Sequence, residues 1–225
     1  MDIGFLFDWD GVVIDSHAQH EESWVLLAEE TGVPLFEGFM KRTFGMRNQS
    51  IFPLWMPHLE GDTAGITVLA DRKEDLYREI LRRDGIEALP GVKEFLLAAR
   101  AAGIPRSVGT STPRKNVDTV IEMAGLEGLF DEIVSSDDVS RGKPDPEVFL
   151  KGAEKLGRKP ERCVVFEDAF VGIQAGKSGG MKVVGIASTH PIEKLTEADV
   201  ALHNLVGVDP LELVARLGLT PGSQA

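Results

Sequence analysis

The stretch that decides the fold lies near the N-terminus, where residues 3–16 read IGFLFDWDGVVIDS. The apolar run at residues 3–7 predicts a buried β-strand. Two carboxylates, Asp8 and Asp10, follow the strand at once, and Gly11 next to them favours a turn. Because two nearby carboxylates repel each other, they need either a cation between them or a proton on one of them.

Further short apolar runs follow along the chain, at residues 104–109, 132–134, 163–166 and 182–187. Segments of helical length and pattern separate them, at residues 91–102, 113–124, 146–156 and 170–178. Strands that alternate with amphipathic helices are typical of a parallel sheet covered on both faces. The predicted fold class is therefore α/β, with a Rossmann-like doubly wound parallel sheet. Thr112 before Pro113 is interpreted as the N-cap of the helix that follows.

One long stretch interrupts this alternation. Residues 17–85 contain no convincing strand, but they contain helical patterns at 17–31 and 71–84. We expect an inserted α-helical domain over residues 17–85, and a Rossmann-like catalytic core formed by residues 1–16 and 86–225.

The bulk composition narrows the classes of function. The 225 residues carry a formal net charge of −12, which argues against a nucleic-acid partner because a phosphate backbone attracts Lys and Arg. The single cysteine, Cys163, excludes an internal disulfide and suits a reducing cytoplasm. No long apolar stretch indicates a signal peptide or a membrane span. We expect a cytoplasmic monomer with no membrane partner.

Polar residues follow the other predicted strands as well. Thr110 and Ser111 follow the apolar run at 104–109 and precede a predicted helix. At the N-terminus of a helix, hydroxyls and backbone N–H groups form an anion site. Glu167 and Asp168 follow the apolar run at 163–166, and Lys143 lies in a proline-rich turn before another predicted helix. In a doubly wound sheet, ligands bind beyond the carboxyl ends of the strands.

Together these residues predict phosphoryl transfer. Hard oxygen ligands from Asp8, Asp10 and Asp168 suit Mg²⁺, which also takes a phosphate oxygen. Thr110, the Ser111 backbone and Lys143 are expected to hold the remaining phosphate oxygens. Asp8 is the predicted nucleophile, and Asp10 is expected to protonate the leaving oxygen and then to accept a proton from water.

Four motifs in order resemble the haloacid dehalogenase superfamily, in the branch with beta-phosphoglucomutase and phosphoglycolate phosphatase. Residues 8–13, DWDGVV, resemble its first motif, and Thr110 and Lys143 fall on the second and third. Residues 166–168, FED, fall on the fourth, and residues 142–149, GKPDPEVF, are highly characteristic. The resemblance covers nearly the whole chain and implies a phosphohydrolase.

The resemblance also implies roles that the residues alone do not indicate. By the family rule, Asp8 and Asp168 bind the metal through their side chains and Asp10 through its backbone carbonyl. The inserted helical domain is expected to be a cap that closes over the site. His20, Arg47 and Lys73 fall near positions that contact substrate in beta-phosphoglucomutase, and residues 45–50 resemble its specificity loop but are one residue shorter.

Several alternatives remain open at this point. The first choice is a phosphatase for a small phosphorylated metabolite, namely a sugar phosphate; the second is a phosphosugar mutase, and the third is a non-catalytic protein that binds a phosphorylated ligand. A dehalogenase or a phosphonate hydrolase is disfavoured, because those branches lack an acid at the Asp10 position. Glu167 is expected to orient the site rather than to bind the metal directly.

Overall fold

A parallel sheet forms the centre of the chain. In the computed structural model, which describes residues 2–43 and 46–219, it has six strands in the order β3-β2-β1-β4-β5-β6. The strands are β1 (Gly4–Phe7), β2 (Arg106–Gly109), β3 (Glu132–Val134), β4 (Cys163–Glu167), β5 (Lys182–Ile186) and β6 (Val200–Leu202). The predicted α/β class and doubly wound parallel sheet are confirmed. The three-residue strand β6 was not predicted.

Helices occupy the segments between the strands. They are α1 (His17–Thr31), α2 (Phe39–Thr43), α3 (Asn48–Trp55), α4 (Thr63–Asp84), α5 (Val92–Ala101), α6 (Arg114–Ala124), α7 (Glu147–Lys155), α8 (Phe170–Ser178) and α9 (Pro210–Arg216). Helix α4 begins eight residues before the predicted start at 71, because the Asp62 side chain accepts a hydrogen bond from the backbone N–H of Gly65 at 2.9 Å. No helix in the described parts of the chain is both long and apolar enough to cross a membrane.

The strand register places the ends of three strands side by side. Phe7, the last residue of β1, pairs with Val108 of β2 on one side and with Phe166 of β4 on the other. The backbone N–H of Asp8 donates to the carbonyl of Phe166 at 2.9 Å, which extends the pairing by one residue. The strand order reverses between β1 and β4, so the loops after them flank the crevice where this fold binds ligands.

A cluster of aromatic rings supports this edge of the sheet from within. Phe7 stacks on Phe166 with ring centroids 4.4 Å apart, and Phe95 of α5 packs edge-on against both rings at 6.2 and 5.4 Å. Phe95 also stacks on Phe5 at 5.7 Å. All four side chains are buried. Because Phe7 and Phe166 precede Asp8 and Glu167 directly, this packing fixes the positions from which the site residues extend.

The chain divides into two compact units. Residues 1–15 and 87–225 form the unit that contains the sheet, and residues 16–86 form a helical unit. The helical unit has its own apolar core, in which Trp24 packs against Phe39, Phe52 and Trp55 with ring centroids 5.2–5.9 Å apart. The interpretation of residues 17–85 as a cap domain stays a prediction.

The predicted N-cap of helix α6 is wrong. Pro113 occupies the N-cap position, the helix begins at Arg114, and the backbone N–H of Arg114 donates to the carboxylate of Asp137 at 3.1 Å. Thr112 lies one residue too early, and its hydroxyl binds a different group, which is described with the candidate site below.

Replacing Phe95 by alanine tests whether the aromatic cluster stabilises the sheet unit. We expect Phe95→Ala to lower the free energy of unfolding by about 3–5 kcal/mol, because it leaves a cavity among three buried rings. Leu97→Ala is the matched control, since Leu97 lies on the same helix and is 46% exposed. We expect its effect to stay within about 0.5 kcal/mol. Urea unfolding followed by circular dichroism measures both, and equal losses would contradict this account.

Candidate active site

A buried lysine joins two carboxylates at the ends of neighbouring strands. Nζ of Lys143 lies 2.6 Å from Oδ1 of Asp8, which follows β1, and 2.6 Å from Oε1 of Glu167, the last residue of β4. Its side chain is 4% exposed, and Nζ also lies 4.8 Å from the centroid of the Phe149 ring. The structure therefore brings together three predicted site residues that are separated by up to 159 positions.

Glu167 uses both oxygens of its carboxylate. Oε1 accepts from Lys143, and Oε2 accepts from the backbone N–H groups of Asp168 and Ala169, each at 3.0 Å. The residue is fully buried. Gly172 on helix α8 leaves room for this carboxylate, because a Cβ atom added there would overlap it. These contacts favour the predicted orienting role of Glu167.

The neighbouring carboxylates of the site raise one another's pKa values. Burial and, next, the neighbouring Glu167 raise the pKa of Asp8 to about 7, although Lys143 acts to lower it. Burial, then Glu167 and then Asp8, also raise the pKa of Asp168 well above its usual value. Burial lowers the pKa of Lys143, but Asp8 and Glu167 outweigh it and raise that pKa, so the ammonium stays charged.

Three carboxylates are arranged so that they could hold a metal ion. Oxygens of Asp8, Glu167 and Asp168 all lie within 4.8 Å of one another, and all three residues are buried. A single lysine balances only part of this negative charge, and the raised pKa values of Asp8 and Asp168 report the imbalance. A hard divalent cation fits this set of oxygen donors. The Asp10 side chain is not part of the cluster. The resemblance predicted that Asp10 binds the metal through its backbone carbonyl and not through its side chain.

The predicted phosphate-binding residues follow strand β2. The backbone N–H of Thr110 donates to the carbonyl of Val134 at 3.0 Å, and Thr110 is 1% exposed. Its hydroxyl oxygen accepts a hydrogen bond from the backbone N–H of Thr112 at 3.0 Å, so its own proton remains available for donation. Ser111 lies half-buried between these two threonines.

Asp10 is bound by a residue that the sequence analysis assigned to a helix cap. The hydroxyl of Thr112 donates to Oδ2 of Asp10 at 2.6 Å. The loop that carries Asp10 is closed by backbone bonds, from Gly11 N–H to the Ile14 carbonyl at 2.7 Å and from Val13 N–H to the Trp9 carbonyl at 2.9 Å. The loop around Asp10 is therefore closed by backbone bonds, and the Asp10 carboxylate has a side-chain partner.

The loop after β5 adds two further hydroxyls that the sequence analysis missed. Thr189 donates to Oδ2 of Asp168, and Ser188 donates to the backbone carbonyl of Gly11. Gly11 has a positive φ of 85°, and a Cβ atom there would overlap the carboxylate of Asp168. The sequence does contain a signal for these two residues, because they come shortly after the strand at 182–186, as Asp8 comes after β1.

The predicted substrate-contact residues of the helical unit form a network of their own. Nζ of Lys73 lies 2.8 Å from Nδ1 of His20 and 3.1 Å from Oε1 of Glu74, and the His20 ring stacks on Tyr77 at 4.1 Å. Lys73 is 2% exposed and Glu74 is 6% exposed. Burial raises the pKa of Glu74, but Lys73 and His20 outweigh burial and lower it, so its carboxylate stays ionised.

The third predicted residue, Arg47, is tied to this network through its neighbour. Arg47 occupies the N-cap position of helix α3, and Asn48, the first residue of that helix, donates to Oε1 of Glu74 at 2.7 Å. Gly45, the first residue of the predicted specificity loop, lies outside the described residues. The structure thus brings His20 and Lys73 together with Glu74 within the helical unit, and Arg47 directly precedes Asn48, which also binds Glu74.

Comparisons with known proteins agree with this architecture. A family model described as haloacid dehalogenase-like hydrolase matches residues 4–180. A phosphorylated carbohydrates phosphatase of Thermotoga maritima is 33% identical over 180 residues, which cover 79% of this chain and 81% of that protein. A beta-phosphoglucomutase of Mycobacterium bovis is 32% identical over 207 residues, 80% of this chain and 78% of that protein.

A solved structure shows the same fold over nearly the full length. The HAD hydrolase of family IA, variant 3, from Entamoeba histolytica is 29% identical and superposes with a TM-score of 0.85, covering 96% of this chain and 99% of that chain. The chain therefore belongs to the haloacid dehalogenase-like hydrolase family. It is a hydrolase of the branch that includes beta-phosphoglucomutase, as the motifs predicted.

Substitution of Gly172 tests whether α8 must leave space for the Glu167 carboxylate. We expect Gly172→Ala to destabilise the protein by about 1–3 kcal/mol, because the added methyl group displaces a buried carboxylate that holds Lys143. Glu167→Asp shortens that side chain, so its cost is expected to be smaller in the Gly172→Ala background than in the wild type. The measurement is a double-variant cycle of urea unfolding. Additive effects would show that the two residues do not interact.

Proposed function

We propose that the chain is a Mg²⁺-dependent phosphatase that hydrolyses a small phosphorylated metabolite through an aspartyl phosphate on Asp8. The contact that carries this proposal is the one between Lys143 and Asp8, since it places an ammonium group beside a carboxylate nucleophile at the switch point of the sheet. The nearby Asp168 completes a set of oxygen donors that suits a divalent cation.

The first half of the proposed reaction transfers the phosphoryl group to the enzyme. A carboxylate oxygen of Asp8 forms a bond to phosphorus while the bond from phosphorus to the substrate oxygen breaks. Asp10 donates a proton to the departing oxygen, which leaves as an alcohol. Lys143, the Thr110 hydroxyl and the backbone N–H of Ser111 bind the other phosphate oxygens, on which negative charge is spread during transfer.

The second half returns the enzyme to its starting state. Asp10, now ionised, accepts a proton from a water molecule as the water oxygen bonds to phosphorus. The bond between phosphorus and Asp8 then breaks, and inorganic phosphate leaves. Asp8 and Asp168 would hold Mg²⁺ through their side chains and Asp10 through its backbone carbonyl; when bound, the ion neutralises phosphate charge and orients the group in line with Asp8. Glu167 positions Lys143.

The proposed substrate is a sugar phosphate. The support is the similarity to the phosphorylated carbohydrates phosphatase and to the beta-phosphoglucomutase described above. We further propose that His20, Arg47 and Lys73 take part in substrate recognition and that residues 17–85 act as a cap. A monomeric state, a cytoplasmic location and the absence of nucleic-acid partners stay predictions.

A phosphosugar mutase is the second candidate, favoured by the 32% identity to the beta-phosphoglucomutase. Both reactions use the same aspartyl phosphate and differ in whether water or a sugar hydroxyl attacks it. Continuous release of inorganic phosphate from a sugar monophosphate, with no requirement for a sugar bisphosphate, would favour the phosphatase. A protein that only binds phosphorylated ligands would release no phosphate from any substrate.

Replacing the nucleophile tests the core of this proposal. We expect Asp8→Asn to lower the rate of p-nitrophenyl phosphate hydrolysis by about 10³-fold or more, because the neutral amide cannot form the covalent intermediate. Asp118→Asn is the matched control, since Asp118 pairs with Arg114 on the exposed face of α6. Magnesium chelation should abolish turnover in the wild type and in this control. Undiminished activity of Asp8→Asn would exclude Asp8 as the nucleophile.

Replacing Arg47 tests the proposed role of the helical unit in recognition. We expect Arg47→Ala to raise the KM for the preferred sugar phosphate by about 10-fold, because it removes a charged donor, and to change the KM for p-nitrophenyl phosphate little. Arg42→Ala is the control, since Arg42 lies in the same unit but contacts the ring of Phe36. If both substrates were affected equally, Arg47 would have no specific role.

A further inference from the structure

We infer that Thr112 is a positioning residue, which holds the Asp10 carboxylate in the orientation for proton transfer to the leaving oxygen. The inference rests on the proposed function of Asp10 and extends it to a residue outside the four motifs. The observation behind it is the 2.6 Å hydrogen bond from the Thr112 hydroxyl to Oδ2 of Asp10, between residues 102 positions apart.

The Asp10 carboxylate needs such a partner. The backbone bonds around Gly11 and Val13 fix the loop, but they do not set the two side-chain torsions that orient the carboxylate. A general acid acts only when its proton lies within hydrogen-bond reach of the departing oxygen. A hydroxyl that donates to a carboxylate at 2.6 Å is within the range of strong, charge-assisted hydrogen bonds, so it restricts that rotation.

Thr112 is itself held firmly enough to serve this purpose. It is 6% exposed, its backbone N–H donates to the Thr110 hydroxyl oxygen at 3.0 Å, and its carbonyl accepts from the Ser136 N–H at 3.1 Å. Its branched Cβ limits the side chain to few rotamers, and the following Pro113 restricts its backbone. One residue thus connects the loop after β2, the turn after β3 and the loop after β1.

The Thr112 hydroxyl is committed to the Asp10 carboxylate. A threonine hydroxyl has one proton, and here that proton is donated to Oδ2. The hydroxyl does not cap the helix, because Pro113 is the N-cap of α6 and the backbone N–H of Arg114 donates to the Asp137 carboxylate.

Thr112→Val, which keeps the shape and removes the hydroxyl, tests the inference with two substrates. Phenolate needs protonation as it leaves more than p-nitrophenolate does. We expect kcat/KM to fall about 10-fold more for phenyl phosphate than for p-nitrophenyl phosphate, with the loss in kcat rather than in KM. Thr112→Ser should restore both values. Asp10→Asn should show the same dependence on the leaving group, and adding Thr112→Val to it should cost nothing further.

Two results would overturn the inference. An equal loss with both substrates, carried by KM, would mean that the Thr112 hydroxyl binds the phosphate group instead. The second test needs no turnover: urea unfolding of Thr112→Val, Asp10→Ala and the double variant should give non-additive effects, and additive effects would mean that the hydrogen bond is absent. If the wild type hydrolyses neither ester, the proposed function fails, while this unfolding cycle still decides whether Thr112 holds Asp10.

Discussion

The structure depends on the burial of three carboxylates against a single ammonium group. Asp8, Glu167 and Asp168 lie within 4.8 Å of one another, and Lys143 bonds to two of them at 2.6 Å. One positive charge does not balance three negative charges in a site with little water, so the pKa values of Asp8 and Asp168 rise. The arrangement is accounted for if a divalent cation and a phosphate group complete it.

The rest of the sheet unit holds these charges in place. Parallel strands β1 and β4 end at the same level, so Asp8 and Glu167 emerge side by side where the strand order reverses. Gly11 and Gly172 leave room where a methyl group would overlap a carboxylate. The same packing that stabilises the fold therefore determines the geometry of the site.

The sequence was informative where a residue's role follows from its own neighbourhood. Apolar runs predicted the strands that carry Asp8 and Asp168, and the strand ends led to Thr110. The role of Thr112 was missed because its partner lies 102 positions away and no local pattern indicates such a contact. The partners of Thr189 and Ser188 lie 21 and 177 positions away, so the sequence indicates these residues only by their position after a strand and not by their contacts. Strand β6, with three residues, is too short for a periodic signal.

The most direct measurement of the central claim is a crystal structure of the protein with magnesium and inorganic phosphate. The account predicts one ion bound by Asp8, Asp168 and the carbonyl of Asp10, and a phosphate group whose oxygens contact Lys143 and Thr110, with its phosphorus facing the Asp8 carboxylate. A structure in which the ion and the phosphate bind elsewhere, while these side chains keep their present contacts, would contradict it.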